Sequence, residues 1–208
     1  WDIQRPGYPI GTPQCSGLHG HVIGSPDGSV YRGNPSCDGP AVYRSIDGGY
    51  TWSEHTITTN ATLASNSHEI ATATDDAGGL HAFWIANDNN PYYANSRDKG
   101  DTWSEPMMVA PPGMNGSGFP TIYAGADGRV SFGYIGTFNA ENWSGYLGII
   151  TDAWNDKPLI TTMQVNAHDD PLDMEPNCGY QRCGGFGDFI ERIDRFNLLL
   201  LHRIDASN

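Results

Sequence analysis

The chain has 208 residues, enough for a sizeable buried core, and a formal net charge of -13 at pH 7. Lys99 and Lys157 are its only lysines, and no basic stripe could neutralise phosphates, so nucleic acid is not expected as a partner. The longest apolar run, residues 198–201, is strand-sized and far below the roughly 20 residues that span a bilayer, so we expect no membrane-spanning segment.

Four cysteines and three N-glycosylation sequons favour an exported protein, either extracellular or held at a cell surface. The cysteines are Cys15, Cys37, Cys178 and Cys183, and the sequons begin at Asn60, Asn115 and Asn142. Proximity favours disulfides between Cys15 and Cys37 and between Cys178 and Cys183, although four cysteines allow three pairings. The sequence opens on Trp1 without a basic and then apolar signal region, so we interpret it as a mature or partial chain.

Three segments share one plan, in which a short apolar strand, a tight turn and a second strand follow one another. Their turns are Asp27-Gly28, Gly78-Gly79 and Asp127-Gly128, about fifty residues apart, and Asp-Gly between apolar runs indicates a hairpin. In the first two segments a third strand (residues 41–45 and 92–96), another turn and a fourth strand follow. Four antiparallel strands recurring with this period predict the blades of an all-β propeller.

A third copy continues over residues 145–165. There Thr151-Asp152 and Trp154 resemble a degenerate version of the turn between the third and fourth strands. A fourth copy begins in residues 187–204 and provides two strands. About three and a half blades are therefore visible, and we predict a larger propeller of the six-bladed type, because an open ring exposes a sheet face and strand edges. The alternative is a four-bladed ring completed by residues 1–18, which are rich in Pro and Gly.

We divide the chain into an N-terminal segment, three blades, an acidic cysteine-containing insertion and a partial blade. Their bounds are 1–19, 20–66, 67–113, 114–166, 167–186 and 187–208. The insertion breaks the fifty-residue rhythm, and long insertions between regular elements are where function tends to reside.

The stretch SIDGGYTWSE at residues 45–54 recurs as SRDKGDTWSE at residues 96–105. In each copy the Ser and Asp side chains can accept hydrogen bonds from backbone N–H groups, and Gly49 and Gly100 tolerate unusual backbone angles. The Thr-Trp pair re-enters a strand, and we expect its indole to cover the turn and add core area. We therefore interpret ten residues as structural: Ser45, Asp47, Gly49, Thr51, Trp52, Ser96, Asp98, Gly100, Thr102 and Trp103.

Both copies match S-x-D-x-G-x-T-W at every defining position, and this pattern resembles the Asp-box repeat of bacterial neuraminidases. The resemblance implies a sialidase-like β-propeller with the boxes on the blade periphery, away from the active site. Asp-box propellers include sialidases and related exo-glycosidases, non-catalytic glycan binders, sorting receptors and photosystem assembly factors. The resemblance therefore leaves the function open.

A sialidase resemblance also implies three arginines that hold a carboxylate, a tyrosine nucleophile paired with a glutamate, and an aspartate acid/base. The Arg-Ile-Pro signature of that family is absent, with Arg5-Pro6 as a partial match. Arg44 and Arg97 belong to the box strands, where the family commonly has a structural arginine. The other arginines have no recognisable context: Arg32, Arg129, Arg182, Arg192, Arg195 and Arg203.

Propeller ligands usually meet the innermost strands, so we look for a site at the first strand of each unit. The candidate ligand-binding residues at the openings of these strands are His21, His68, Glu69 and Asp188. Convergence of titratable groups indicates function, and the alternative is that they are solvated channel residues or strand caps. Tyr123 and Arg192 lie further along these strands and are weaker candidates.

The insertion places Asp169, Asp170, Asp173 and Glu175 beside Cys178 and Cys183. Hard oxygen ligands at this density could hold calcium, although the spacing fits no EF-hand. A solvated acidic loop closed by a disulfide is the alternative. We expect either no cofactor or calcium.

Two classes of function remain open from the sequence. The favoured one is a non-catalytic module that recognises a glycan or a cell-surface protein, because the arginine signature is missing. The alternative is an exo-glycosidase of the sialidase type with part of its catalytic set outside this chain, and its catalytic residues are unknown. A structural component of a surface assembly fits the sequons and the acidic composition equally well.

The cysteine spacing gives a direct test. Peptide mapping without reduction is expected to recover Cys15 linked to Cys37 and Cys178 linked to Cys183, because neighbouring cysteines close the shortest loops. Free thiols at all four positions would contradict both the pairing and the exported location.

Overall fold

The computed structural model of the protein describes residues 7–9, 20–65, 69–172, 190–193 and 198–201, the last two ranges as backbone. These residues form fourteen β-strands and one short 3-10 turn, Ala61–Leu63. No α-helix occurs among them, and so none of the described segments is a helix that could cross a bilayer.

Consecutive strands pair antiparallel into three sheets of four strands, each in chain order, followed by a hairpin. The first sheet contains β1 (Val22–Gly24), β2 (Val30–Pro35), β3 (Pro40–Ser45) and β4 (Ser53–Thr56). The second contains β5 (Ile70–Thr74), β6 (Leu80–Ile85), β7 (Pro91–Ser96) and β8 (Met107–Met108). The third contains β9 (Gly116–Ala124), β10 (Val130–Thr137), β11 (Trp143–Ile150) and β12 (Ile160–Gln164), and the hairpin contains β13 (Ile190–Ile193) and β14 (Leu198–Leu201).

The predicted all-β class with four-stranded antiparallel units is confirmed by these sheets. The described residues form a row of three sheets and a hairpin. The closed ring and the total of six blades stay predictions.

The second sheet is buried on both faces, which explains why β6 is buried along its whole length. Leu80 and Trp84 pack toward the first sheet, in one cluster with Tyr31. Phe83 points the other way and packs on Phe132 of the third sheet, with the ring centroids 4.9 Å apart. Since successive residues of a strand face opposite sides, a strand without an exposed position requires a layer on each side.

The first and second sheets approach each other closely at two glycines. A Cβ atom added at Gly33 would lie 1.8 Å from the carbonyl oxygen of Ile70, and one added at Gly20 would lie 2.5 Å from the same atom. The N–H of Gly20 also donates to the Gly33 carbonyl at 2.8 Å. Only residues without a side chain fit here, so the two glycines set how closely β5 packs on the first sheet.

The third sheet has one covered face and one open face. On the side away from the second sheet, Tyr123, Ile149 and Met163 are 36%, 40% and 46% exposed. A groove of about 460 Å³ runs over Tyr123, Leu147 and Ile149. β13 lies against β9, an edge strand of the third sheet, so the row of sheets continues past the third one.

A buried chain of polar groups joins the second sheet to the third. The hydroxyl of Tyr93 lies 2.7 Å from Nδ1 of His81, and Nε2 of His81 lies 3.3 Å from Oδ2 of Asp75. That carboxylate oxygen also accepts the backbone N–H of Gly128, from the third sheet, at 3.0 Å. The ring of Trp154 covers the imidazole, with centroids 4.9 Å apart.

Burial determines the protonation of this chain. It lowers the pKa of His81, against the opposing effect of the Asp75 carboxylate, so the imidazole is neutral. In that form Nε2–H donates to Asp75, and Nδ1 accepts from the Tyr93 hydroxyl. Burial alone would raise the pKa of Asp75, but the N–H donors of Gly128 and Gly79 lower it overall.

The close contact at Gly33 predicts that the effect of a Gly→Ala substitution on stability depends strongly on its position in the first sheet. We expect Gly33→Ala to lower the free energy of unfolding by about 1–3 kcal/mol, because the new methyl group meets a backbone oxygen that cannot move alone. Gly24→Ala is the matched control, since a Cβ at Gly24 meets nothing within 4 Å. Urea unfolding of both variants checks this, and equal losses would contradict the close approach.

The buried imidazole predicts an acid-dependent loss of stability. Because its pKa is lower in the folded than in the unfolded protein, its contribution is complete above pH 6.5 and declines as the pH falls through the folded value. One proton changes the unfolding free energy by at most about 1.4 kcal/mol per pH unit. Urea unfolding between pH 7.5 and 4.5 is expected to show a shallower decline for His81→Gln than for the unmodified protein. Equal slopes in the two proteins would contradict this assignment.

Candidate functional site

Antiparallel pairing sorts the connections between strands into two ends of the row of sheets. We name one the turn end, and it contains residues 25–29, 46–52, 75–79, 97–106, 125–129 and 151–159. We name the other the strand-start end, because β1, β5 and β9 begin there. It contains residues 20–21, 36–39, 57–65, 69, 86–90, 109–115, 138–142 and 165–172.

The first of the two repeated turns, residues 45–52, closes on itself by hydrogen bonds. Oδ1 of Asp47 accepts the N–H of Thr51 at 2.9 Å, and Oδ2 accepts its hydroxyl at 2.6 Å. The hydroxyl oxygen of Ser45 accepts the N–H of Gly49 at 2.8 Å. The Thr51 hydroxyl and N–H lower the pKa of Asp47 to about 2, so the carboxylate stays ionised for these bonds.

The second repeated turn, residues 96–103, has the same geometry. Asp98 accepts from the N–H and the hydroxyl of Thr102 at 2.8 and 2.6 Å, and Ser96 accepts from Gly100 at 2.8 Å. The two turns differ at the carbonyl of their glycine. The Gly49 carbonyl accepts the indole N–H of Trp52 at 3.1 Å. The Gly100 carbonyl instead lies 3.2 Å from Nδ1 of His55, a residue of the first sheet. Both indoles are half-buried, and the bonds of the two turns are those of a structural element.

The third turn, residues 151–159, keeps one position of the motif and changes the rest. Oδ1 of Asp152 accepts the N–H of Leu159 at 2.7 Å, as Asp47 and Asp98 do for their threonines. Ile150 pairs with Val130 in the place of the motif serine. Trp154 is not the motif tryptophan, because it lies inside the turn and covers His81. Asp152 therefore takes the place of the motif aspartate, as its sequence indicates, whereas Trp154 does not take the place of the motif tryptophan.

Neighbouring sheets also exchange hydrogen bonds at the turn end. Arg44 donates to the Lys99 carbonyl at 3.0 Å, and Asn95 donates to the Ala153 carbonyl at 2.8 Å. Arg44 and Asn95 occupy equivalent positions, each directly before the serine of a repeated turn. The first sheet therefore binds the turn of the second, the second sheet binds the turn of the third, and these polar groups are committed to the fold.

At the strand-start end the structure brings together two of the predicted residues, His21 and Glu69. Glu69 is half-buried directly before β5, and His21 is exposed directly before β1. Burial raises the pKa of Glu69, and the proximity of His21 acts in the opposite direction. The close approach of Gly20 to β5 is what places these two strand starts side by side. A carboxyl group and a nearby imidazole can accept and donate hydrogen bonds to one ligand.

The other predicted residues do not join them in the described structure. Tyr123 pairs with Ser131 near the last residue of β9, so it lies toward the turn end. His68 and Asp188 lie outside the described residues, as does the side chain of Arg192. Their place in a site stays a prediction.

An aromatic residue that the sequence analysis did not select lies at the start of the third sheet. Phe119 has a φ of 52°, in the left-handed region, and stands at a bulge where the pairing of β9 with β10 shifts between Gly133 and Ile135. A bulky residue is rarely found there, and the residue before a proline such as Pro120 favours extended angles. Such strain marks positions held by their surroundings, which often are functional.

The predicted modification sites are only partly described. Asn60, Asn115 and Asn142 are all exposed, and all three lie at the strand-start end. Cys37 is disulfide-bonded, and Cys15, Cys178 and Cys183 lie outside the described residues, so the pairing stays a prediction.

The predicted calcium loop is described only at its beginning. Asp169 and Asp170 are exposed, whereas Asp173 and Glu175 lie outside the described residues. Asn166 fixes the start of this loop by accepting from the Gly145 N–H at 2.9 Å and donating to the Asp170 carbonyl at 2.7 Å. In the part of the chain with described side chains, no three His, Cys, Asp or Glu residues are grouped for a metal ion, and calcium stays a prediction.

Comparison with known families and curated proteins gives no match to any family model and none to any curated sequence. Solved structures do match by fold. A protein of unknown function from Dyadobacter fermentans DSM 18053 aligns with a TM-score of 0.53 at 14% identity, over 71% of this chain and 41% of that one. The Hadza microbial sialidase Hz136 aligns with 0.50 at 17% identity, over 68% and 35%. The K499G mutant of NanB sialidase from Streptococcus pneumoniae aligns with 0.51 at 19% identity, over 71% and 23%.

These structural neighbours share the fold of this chain over the aligned residues. The chain spans less than half the length of each of them. At identities below one fifth the likeness concerns architecture alone, the arrangement of antiparallel sheets that this chain shares with the two sialidases and with the protein of unknown function.

Proposed function

We propose that this chain is part of an extracellular, sialidase-like Asp-box β-propeller that recognises a glycan at its strand-start end without hydrolysing it. The observation that carries the proposal is the proximity of Glu69 to His21 at the starts of β5 and β1, which the close approach of Gly20 to Ile70 brings side by side. At the opposite end, Arg44, Asp47, Asn95 and Asp98 are engaged in the bonds of the repeated turns and of the sheet junctions. At the strand-start end, the half-buried Glu69 and the exposed His21 are side chains that a ligand could reach.

The chemistry of this end suits sugar hydroxyl groups. The Glu69 carboxyl group and the His21 imidazole can each accept from or donate to a hydroxyl. Phe138, 48% exposed in the β10–β11 turn, offers an aromatic ring at the same end. Binding sites generally combine apolar walls with a few polar groups that fix the orientation of the ligand.

The extracellular location is supported by one structural observation. Cys37 is disulfide-bonded, and disulfides persist mainly in oxidising compartments. We propose a cell-surface protein that bears such glycans as the partner. The open face of the third sheet is compatible with membership of a larger surface assembly.

A second candidate function is exo-glycosidase activity, which one observation favours. Burial raises the pKa of Glu69, as is required of a carboxylic acid that protonates a leaving oxygen. Glycoside hydrolysis uses two carboxyl groups flanking the bond, whereas the titratable group near Glu69 in the described structure is the imidazole of His21. One carboxyl group beside an imidazole, in the part of the site that the structure describes, favours recognition over cleavage.

A glycan array probed with the 208-residue chain tests the proposal. We expect binding to a defined set of oligosaccharides, lowered at least about tenfold, or about 1.4 kcal/mol, by Glu69→Gln because a ligand-facing carboxyl group is lost. Glu105→Gln is the matched control, since Glu105 is exposed at the turn end. Binding to no glycan, or equal losses in both variants, would overturn the proposal, and turnover of a fluorogenic sialoside would establish the enzyme instead.

A further inference from the structure

A serine, a histidine and an aspartate lie in hydrogen-bond contact at the turn end, where the first sheet meets the second. The hydroxyl oxygen of Ser53 lies 2.7 Å from Nε2 of His55, and it also lies 3.4 Å from the Arg44 carbonyl oxygen, a weaker contact. Nδ1 of His55 lies 3.3 Å from Oδ1 of Asp101 and 3.2 Å from the Gly100 carbonyl oxygen. A hydroxyl, an imidazole and a carboxylate in this order are the groups that make a serine nucleophilic.

The three residues come together through the packing of two sheets. Ser53 and His55 are two apart in β4, so their side chains lie on the same face of that strand. Asp101 belongs to the second repeated turn, and Nη1 of Arg44 lies 3.1 Å from its Oδ1. The carboxylate is therefore held in place by an arginine of the first sheet while it faces the imidazole.

Two acceptors fix the tautomer of His55. The Gly100 carbonyl and the Asp101 carboxylate both face Nδ1, so Nδ1 carries the proton, and in the neutral ring Nε2 accepts from the Ser53 hydroxyl. Burial and the Arg44 guanidinium lower the pKa of His55, against the opposing effect of Asp101, so the ring is neutral at pH 7. A neutral imidazole with Nε2 facing a hydroxyl is the form that acts as a general base.

The second sheet provides a contrast at the equivalent serine. The hydroxyl oxygen of Ser104 accepts the N–H of Asn95 at 3.0 Å, and Pro106 stands where the first sheet has His55. Since the second repeated turn forms without a histidine at this position, the bonds of the turn do not require His55. The pairing of hydroxyl and imidazole is therefore an addition to the repeated element in the first sheet.

A donor for a developing oxyanion lies next to the serine. β4 is an edge strand of the first sheet. Ile57 donates its N–H to the Pro40 carbonyl at 2.8 Å, and N–H groups alternate in direction along an antiparallel strand. The N–H of Glu54 therefore points away from β3, beside the exposed Ser53. A backbone N–H there can donate to the negative oxygen of a tetrahedral intermediate.

We propose that Ser53, His55 and Asp101 form an acyl-transfer centre that hydrolyses carboxylic esters of small acyl groups. Ser53 and Asp101 are exposed, so a small ester reaches the centre from solvent. This activity goes beyond the glycan recognition proposed for the strand-start end, and it does not depend on it.

The reaction proceeds in two balanced steps. The Ser53 oxygen attacks the ester carbonyl carbon while its proton passes to Nε2 of His55; the ester C–O bond then breaks, and Nε2 gives the proton to the departing alcohol. Water attacks the acyl-serine with His55 again accepting the proton, and the carboxylic acid leaves as the Ser53 hydroxyl is restored. Asp101 is a positioning residue, because it acts by orienting the ring.

The test is acylation of the 208-residue chain by p-nitrophenyl acetate. We expect a burst of nitrophenol and an acetyl group on the peptide that contains Ser53, found by mass spectrometry. Ser53→Ala is expected to abolish both, and His55→Gln to slow acylation at least about a hundredfold because the general base is lost. Ser104→Ala is the matched control and should react at the original rate. Circular dichroism checks folding, and the exposed Ser53→Ala still tests the nucleophile if His55→Gln does not fold.

The pH profile separates a positioning role of Asp101 from a purely structural one. The acylation rate is expected to rise with pH as the His55 ring loses its proton. Arg44, Asp98 and Asp101 are the charged groups that act on the ring, and Asp101→Asn removes one that raises its pKa. The midpoint is therefore expected to move to lower pH, with a slower limiting rate.

Three results would overturn the proposal. The first is acetyl groups on lysines or on His55 with none on Ser53. The second is equal rates for Ser53→Ala and Ser104→Ala. The third is an unchanged pH profile in Asp101→Asn, which would assign the aspartate to the sheet junction alone.

Discussion

Burial of the second sheet on both faces is the constraint on which the rest of the molecule depends. Because β6 has no exposed residue, the second sheet is stable only with a layer on each side. The backbone contact between Gly33 and Ile70 then fixes how the first sheet meets it. Glu69 and His21 become neighbours as a result of this packing, although they belong to different sheets. The candidate site therefore needs no dedicated loop for its assembly.

The two ends of the sheets differ in what their polar groups do. At the turn end, Asp47 and Asp98 accept hydrogen bonds from a threonine of their own turn, and Arg44 and Asn95 bind the next sheet. A group that is already bonded must lose those bonds before it can bind a ligand, which is costly. At the strand-start end, His21 is exposed and Glu69 is half-buried. The bonds of the turn end thus stabilise the fold, and the proposed ligand residues lie at the opposite end of the same strands.

The parts of the structure that depend on local chemistry could be predicted from the sequence. The hairpins at Asp27-Gly28 and Asp127-Gly128 and the bonds of the two repeated turns follow from residues close together in the chain. Features that depend on tertiary packing could not be. The left-handed Phe119 contradicts the preference of a residue before proline, and His81 becomes buried only once Trp154 of another sheet covers it. The start of β9 at Gly116 carries no distinct signal either, so Tyr123 lies nearer the end of its strand than the sequence alone indicates.

The third turn bears on how repeats of this type are counted. It has lost the serine, threonine and tryptophan of the motif, yet Asp152 still accepts the N–H of the residue that re-enters the strand. The carboxylate persists because a backbone N–H group must find an acceptor in every copy, whereas the other positions can be replaced by apolar packing. A search for the full motif finds two copies here, whereas an aspartate two residues after the end of the third strand is present in all three sheets. Divergence in such proteins is therefore better measured by the retained hydrogen bond than by the retained letters.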